Sequence, residues 1–308
     1  IDQVRSVIYS TTDGLPRIRS RRMRRLWQVA EKGSLDIVII CHDFLWPTEV
    51  AELKCRTKAQ IVIWFPDHLA NFGRGFFMNA PYDVLFFKYP YIVQRLSGVL
   101  NSPVYYLPEC FNPEKHKLPD NNINDEDVFQ CDITTAGGQH SWRVAMFKHL
   151  AAYNVKLWGS PAPLWMNTGA VSSMYQNRGV YNQDKARAFL GSKIVLNTLH
   201  YGEVWGLNAR AFEIAGIGGF QLIDWRPGLL QLFSDGEELI SFTGVDDLRT
   251  KIDYYLANPD ERQRIAEKGK MRAITEHTYK HRLMLLLDTI AGKSNGYPIP
   301  NITCVEKS

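Results

Sequence analysis

The stretch Lys193-Ile-Val-Leu-Asn-Thr-Leu-His-Tyr-Gly-Glu-Val-Trp-Gly-Leu-Asn-Ala-Arg-Ala-Phe-Glu-Ile-Ala-Gly-Ile-Gly-Gly-Phe220 decides how this chain folds. It opens with Lys193–Thr198, an apolar run of strand length. A loop containing Tyr201, Gly202 and Glu203 leads to Gly206, where a helix is expected to begin and run to about 217. Gly218-Gly219 then returns the chain to a second apolar run, Phe220–Asp224. Two strands joined through a helix rather than a tight turn make a parallel β-α-β unit, because a parallel pair needs a crossover.

The alternation extends in both directions. Strands are expected at Asp132–Ala136, Val155–Trp158 and Ile240–Thr243, with helices at about 141–153, 184–190 and 227–233. Two further helices follow the last strand, one from Asp246 to about Leu256 and one opened by Asn258-Pro-Asp-Glu261. The latter combines an N-cap asparagine, a proline at the first helical position and an acidic first turn. A final helix lies near 280–291. Nearer the N-terminus, Asp36–Ile40, Ile61–Phe65, Asp83–Phe87 and Val104–Leu107 are near-continuous apolar runs, as in strands covered on both faces. Helical patterns at about 21–32, 47–57 and 90–98 separate them. From 112 to 128 the pattern gives way to a polar, proline-bearing, aperiodic segment.

The expected organisation is therefore α/β throughout. Residues 1–111 form an N-terminal domain, 112–128 a linker, 129–292 a doubly wound second domain, and 293–308 an irregular tail. The first series has four strands against five in the second and lacks an opening β-α-β unit, so the N-terminal domain reads as incomplete at its start.

Composition narrows the function classes. With 308 residues, 45% hydrophobic and 22% charged, the chain matches an ordinary soluble protein of two domains. A net charge of +4 is too small to argue for nucleic acid, and no apolar run is long enough to span a bilayer. The five cysteines are odd in number and show no C-x-x-C spacing, so neither zinc nor a disulfide framework is indicated. A reduced, cytoplasmic setting is the expectation.

Open parallel sheets bind ligands outside the carboxyl ends of their strands. After Asp132–Ala136 comes Gly137-Gly138, running into a helix. Such a turn lets backbone N–H groups approach a phosphate, although many proteins use it only to join strand to helix. After Lys193–Thr198 comes the richest segment, where Gly206, Arg210 and Glu213 fall at i, i+4 and i+7. A carboxylate can take both hydroxyls of a ribose while an arginine neutralises phosphate. The plainer alternative is an ion pair between Arg210 and Glu213.

Gly206-x-Asn208-x-Arg210-x-Phe212-Glu213 with Ala215-Gly216-x-Gly218-Gly219-Phe220 resembles the nucleotide-sugar half of GT-B glycosyltransferases, in particular the CgeB-like group. The likeness runs on through Asp224–Phe233, Asp235–Glu238, Asp247–Leu256, Asn258–Glu267 and Glu276–His281, so it covers roughly 193–287. Over 1–110 it is one of general pattern. The resemblance implies two Rossmann-like domains facing across a cleft, with a nucleoside-diphosphate sugar on the C-terminal domain and the acceptor on the N-terminal one. By position, Glu213 would hold the ribose, and Arg210 with Gly137 and Gly138 would face the diphosphate. Asn197, Tyr201, Glu203, Gly206 and Asn208 would lie near the sugar and phosphates. The glutamates of the commoner pattern are more closely spaced than Glu203 and Glu213, which have nine residues between them.

The resemblance further implies glycosyl transfer without an obligatory metal, to a glycan or carrier-linked acceptor. The sole Asp-x-Asp spacing, Asp125-Glu-Asp127, sits in the polar linker and reads as solvated charge. For an inverting reaction the candidate bases are Asp67 and His68, past the strand Ile61–Phe65, followed by His42 and Asp43. The run Arg17-x-Arg19-x-Arg21-Arg22-x-Arg24-Arg25 is the one concentrated charge: a solvated face, or a peripheral contact with an anionic membrane surface. Asn301-Ile-Thr303 matches a glycosylation sequon, a pattern frequent by chance. A non-catalytic nucleotide- or glycan-binding module and a nucleotide-sugar epimerase are the alternative readings.

Overall fold

The computed structural model of the chain describes residues 15–42, 44–67, 75–117, 128–138, 140–159 and 165–299. The chain divides into two compact units, one of Ile1–Phe87 with Ile92–Tyr105 and the other of Lys88–Tyr91 with Tyr106–Ser308.

The first unit carries α1 (Pro16–Lys32), β1 (Ile37–Ile40), α2 (Pro47–Thr57), β2 (Gln60–Phe65) and β3 (Val84–Phe87). The next elements, α3 (Pro90–Leu96) and β4 (Val104–Tyr106), run across the division between the units. The four strands form one sheet in chain order, with β1/β2 and β2/β3 parallel. β2 is buried from Ile61 onward and β3 along its whole length, while β1, at the edge, is only half-buried. Asp83 fastens the start of β3: its carboxylate accepts the Ile61 N–H at 2.8 Å and pairs with Lys54.

The second unit carries β5 (Cys131–Ala136), α4 (Ser141–Phe147), β6 (Val155–Trp158), α5 (Asn182–Leu190), β7 (Ser192–Asn197) and α6 (Ala209–Ile217). These are followed by β8 (Gln221–Asp224), α7 (Leu229–Leu232), β9 (Ile240–Phe242), α8 (Gly244–Ala257), α9 (Pro259–Glu276) and α10 (Tyr279–Ile290). All five strands are parallel, in the order β6-β5-β7-β8-β9. Side chains alternate across the sheet, as a period of two requires. Ile194 and Leu196 pack with Phe147 of α4, Ile252 of α8 and Ile265 of α9, while Val195 between them packs with Phe189 of α5 and Ile214 of α6.

Several expectations shift in detail. The helix expected over 141–153 is the shorter α4 followed by a 3-10 turn at Lys148–Leu150. The helix expected to begin at Gly206 begins at Ala209, because Asn208 takes the N-cap and accepts the Ala211 N–H at 3.1 Å. The segment from Tyr106 to Phe111 clusters with the second unit rather than with the first series of strands. Backbone pairing explains why: Tyr297 N–H donates to Tyr106 O at 3.1 Å, and Phe111 N–H donates to His277 O at 3.1 Å.

Arg282 completes that tie. It is buried, and its Nε donates to Pro108 O at 3.0 Å while Nη1 donates to Glu276 O at 3.0 Å. Its Nη2 lies 2.7 Å from His277 Nδ1, and since a guanidinium can only donate, Nδ1 accepts. The imidazole is therefore the neutral Nε2–H tautomer, which donates to Leu232 O at 2.8 Å. Burial first, and the Arg282 charge second, push the His277 pKa down to about 3. An unfolded histidine titrates near ~6.5, so the unfolded chain binds the extra proton and stability falls as pH drops from about 6.5 toward 3. We expect His277→Gln, which keeps one acceptor and one donor, to flatten that slope in urea unfolding measured across the same pH range.

Candidate functional site

In the second sheet the strand order reverses between β5 and β7: β5 is flanked by β6 on one side and β7 on the other. This is the topological switch point, where the loops leaving two neighbouring strands diverge and open a crevice. The Gly137-Gly138 turn leaves β5, and the 198–208 loop leaves β7 to enter α6.

Close approach at this point depends on missing side chains. Gly137 has φ +139°, and a Cβ there would lie 2.3 Å from Arg210 Nη2. Its N–H donates to Trp158 O at 2.8 Å, and a Cβ on Gly159 would lie 2.0 Å from Gly137 O. Two backbone segments, the Gly137 turn and Trp158-Gly159, and one guanidinium therefore meet at distances that only glycine allows.

Arg210 is aimed by Asn197, whose Oδ1 accepts from Nη1 at 3.2 Å. Asn197 is fully buried and exchanges amide hydrogen bonds with Asn208 at 3.1 and 3.2 Å. Asn197 thus positions the N-cap of α6 and its arginine from beneath. A second arginine, Arg143 of α4, is buried beside them, with Nε to Thr198 Oγ1 at 2.8 Å and Nη1 to Gly138 O at 2.7 Å. Burial and the charge of Arg210 lower the Arg143 pKa to about 9, against an opposing pull from Asp224. Burial also lowers the Arg210 pKa, against Glu213 and Glu203. His140, at the N-cap of α4, titrates below its ordinary value because of burial and then the Arg143 charge.

A pocket of about 350 Å³ opens here within the second unit. Gly137, Gly138, Asn208, Arg210 and Glu213 line it, so five of the residues singled out in the sequence share one cavity. Glu213 and Arg210 do not pair with each other. Both Glu213 oxygens accept from Lys185 Nζ, at 3.0 and 2.9 Å, and His116 Nε2 stands 3.6 Å away. Trp158, Gly159, Gly179, Tyr181 and Lys185 also line it, and none of these is marked as a site residue by the sequence motifs. Gly159 closing a strand was the available signal.

The other expected residues lie elsewhere. Tyr201 is 73% exposed and joins a cluster of rings with Trp142, at 5.3 Å, and His200, at 4.2 Å. Glu203 is buried and bonded to Lys88 Nζ at 2.8 Å, and Gly206 packs where a Cβ would come within 3.1 Å of Lys88 O. Asp67 is exposed just past β2; His68, Asp43, the Asp125–Asp127 spacing and the Asn301 sequon lie outside the described residues. Among the described residues no cluster of three or more metal-binding side chains occurs.

Residues 141–288 match the family described as glycosyl transferase-like. Among solved structures, HepE of Anabaena in complex with UDP and glucose aligns with a TM-score of 0.65 at 10% identity, over 87% of this chain and 80% of that one. Sucrose-phosphate synthase from Thermosynechococcus elongatus aligns with a TM-score of 0.60 at 11% identity, over 87% and 77%. A glycosyltransferase from Rickettsia africae aligns with a TM-score of 0.60 at 11% identity, over 91% and 83%. The fold is GT-B. No curated protein matches the sequence. Within this GT-B chain the α6 motif and the Gly137-Gly138 turn, 70 residues apart in the sequence and joined at the switch point, belong to one cavity wall.

The Lys88–Glu203 pair secures the loop entering α6, and both side chains are almost fully buried. Lys88→Met should cost about 3 to 5 kcal/mol in denaturant unfolding, because it strands a buried carboxylate. Adding Glu203→Gln should recover part of that loss.

Proposed function

We propose that this protein is a glycosyltransferase that moves a sugar from a nucleoside-diphosphate sugar to a glycan or other hydroxyl acceptor without a metal. The observation that carries the reading is the pair of guanidinium groups, Arg143 and Arg210, gathered around the Gly137 turn at the switch point. Two cations that burial makes less basic gain most from a neighbouring dianion, and a diphosphate is one. The motif run from Gly206 to His281 supports placing the chain with the CgeB-like group.

In this reading Arg210 and the first-turn N–H groups of α6 face the diphosphate, and Arg143 adds its charge from behind the Gly138 carbonyl. Glu213, at the other side of the pocket, accepts from the ribose hydroxyls while Lys185 balances its charge. Asn208 lies between the two. As the anomeric C–O bond breaks, its electron pair passes to the leaving diphosphate, and the preorganised arginines stabilise the charge that builds there. The acceptor hydroxyl attacks the anomeric carbon and gives up its proton to a base, for which Asp67 and His68 are the proposed pair. HepE has been crystallised with UDP-glucose, so UDP and UDP-glucose are the first ligands to try.

Thermal-shift titration with UDP, GDP, dTDP and CDP should show saturable stabilisation by one of them, of about 2.7 kcal/mol at a hundredfold excess over Kd. The shift should survive a chelator and vanish in Arg210→Ala. Glu213→Gln should weaken it roughly tenfold or more, as expected for a lost charge-assisted hydrogen bond. A folded protein that responds to none of the four, or only with a divalent metal, would contradict the proposal.

A further inference from the structure

The arginine run in α1 is not one uniform face. Arg19 points inward, where its guanidinium bonds both oxygens of Glu49, donates to Phe44 O at 2.8 Å and lies over the Trp46 ring at 4.4 Å. It holds α1 onto α2. Glu31, the one carboxylate on the helix, is paired with Arg56 of α2. Arg17, Arg21, Arg24 and Arg25 are exposed and have no ion-pair partner among the described residues.

These four fall at i, i+4, i+7 and i+8 on one outward stripe. Such an arrangement is unfavourable for an isolated helix in two ways. Like charges at i, i+4 repel, as Arg17 does with Arg21 and Arg21 with Arg25. A cation in the first turn also opposes the helix dipole, and that turn contains no acidic residue. Beside the stripe stand exposed aliphatic side chains, Ile18 at 38% and Val29 at 59%, with Leu15 at 51% just before the first turn. A merely solvated face would gain nothing from them, and a polyanion in water would leave them wet.

We propose that this face of α1 docks on an anionic lipid surface, with the arginines at the headgroups and Ile18 and Val29 entering the acyl boundary. Arginine stems can lie along apolar surface while their heads reach phosphate, so both residue types engage together. No helix among the described residues is long and apolar enough to cross a membrane, so the contact is peripheral. The inference is independent of the donor site, since lipid docking requires no nucleotide.

The test is co-sedimentation of the full chain with vesicles of phosphatidylcholine, alone or mixed with one-third phosphatidylglycerol, across a salt series. The expected result is binding to the mixed vesicles only, weakening as salt rises. Replacing Arg17, Arg21, Arg24 and Arg25 by glutamine should reduce the partition coefficient roughly fivefold per arginine. That variant should keep or raise the melting temperature, because repulsion is relieved. Ile18→Ser with Val29→Ser should weaken binding a few-fold while leaving its salt dependence. The proposal is overturned by absence of vesicle binding, by equal binding to phosphatidylcholine alone, or by full retention in the glutamine variant. Binding to a single-stranded RNA oligonucleotide without binding to vesicles would also overturn it.

Discussion

Neither residue 137 nor residue 159 carries a Cβ, and the site depends on that constraint. Arg210 can reach the turn after β5 only because nothing projects from Gly137, and that turn can lie against the end of β6 only because nothing projects from Gly159. A methyl group at Gly159 would run into the Gly137 backbone, which cannot yield as a flexible side chain can, while one at Gly137, where φ is +139°, would push the Arg210 guanidinium off the turn. The pocket is thus defined as much by bare backbone as by the charged groups around it, and its floor consists of strands that the hydrophobic core holds in register.

Electrostatics then follow from where carboxylates are kept. Lys185 engages Glu213, and Lys88 engages Glu203, so neither acid is joined to the arginines at the switch point. Arg210 instead leans on a neutral amide, and Arg143 on a hydroxyl and two carbonyls. Bonded only to neutral dipoles, Arg210 keeps its full formal charge at the cavity wall and Arg143 keeps its own beside the Gly137 turn. Had Arg210 and Glu213 closed on each other along α6, the same residues would have made an inert surface pair.

Much of this was readable in the linear sequence where chemistry and periodicity were local. Every strand of the second sheet was anticipated to within a residue or so, because parallel strands are short apolar blocks between glycine and polar breaks. Gly137, Arg210 and Glu213 were legible as strand-end and helix-face residues. Tyr181 and Lys185 were not, since nothing local marks the start of α5 as facing a cavity built from β5 and α6, and Gly159 offered only its place just past β6. The Lys88–Glu203 bond joins residues 115 apart, and no spacing rule reaches that far. Glu203 lay beside the motif and by resemblance was expected near the sugar and phosphates; its burial against Lys88 could not be read from the motif. The start of α6 was misplaced because Gly206 drew attention from Asn208, the better N-cap. Arg19 shows the converse: inside a run of like residues, one member was diverted to the interior by a single glutamate on the next helix.

The tie between the segment 106–111 and α10 bears on the order in which the chain is made. Arg282, His277 and Tyr297 supply the hydrogen bonds that hold Tyr106, Pro108, Glu109 and Phe111 in the second unit. Those partners leave the ribosome only after the whole β5–β9 sheet. During synthesis the β5–β9 sheet can assemble strand by strand, but the segment leading into it must wait, solvated, for the last helix. Contacts of such long sequence separation are slow to close, since most of the unit must already be ordered before they are rewarded. Completion of the second unit is thereby coupled to translation of α10 and Tyr297.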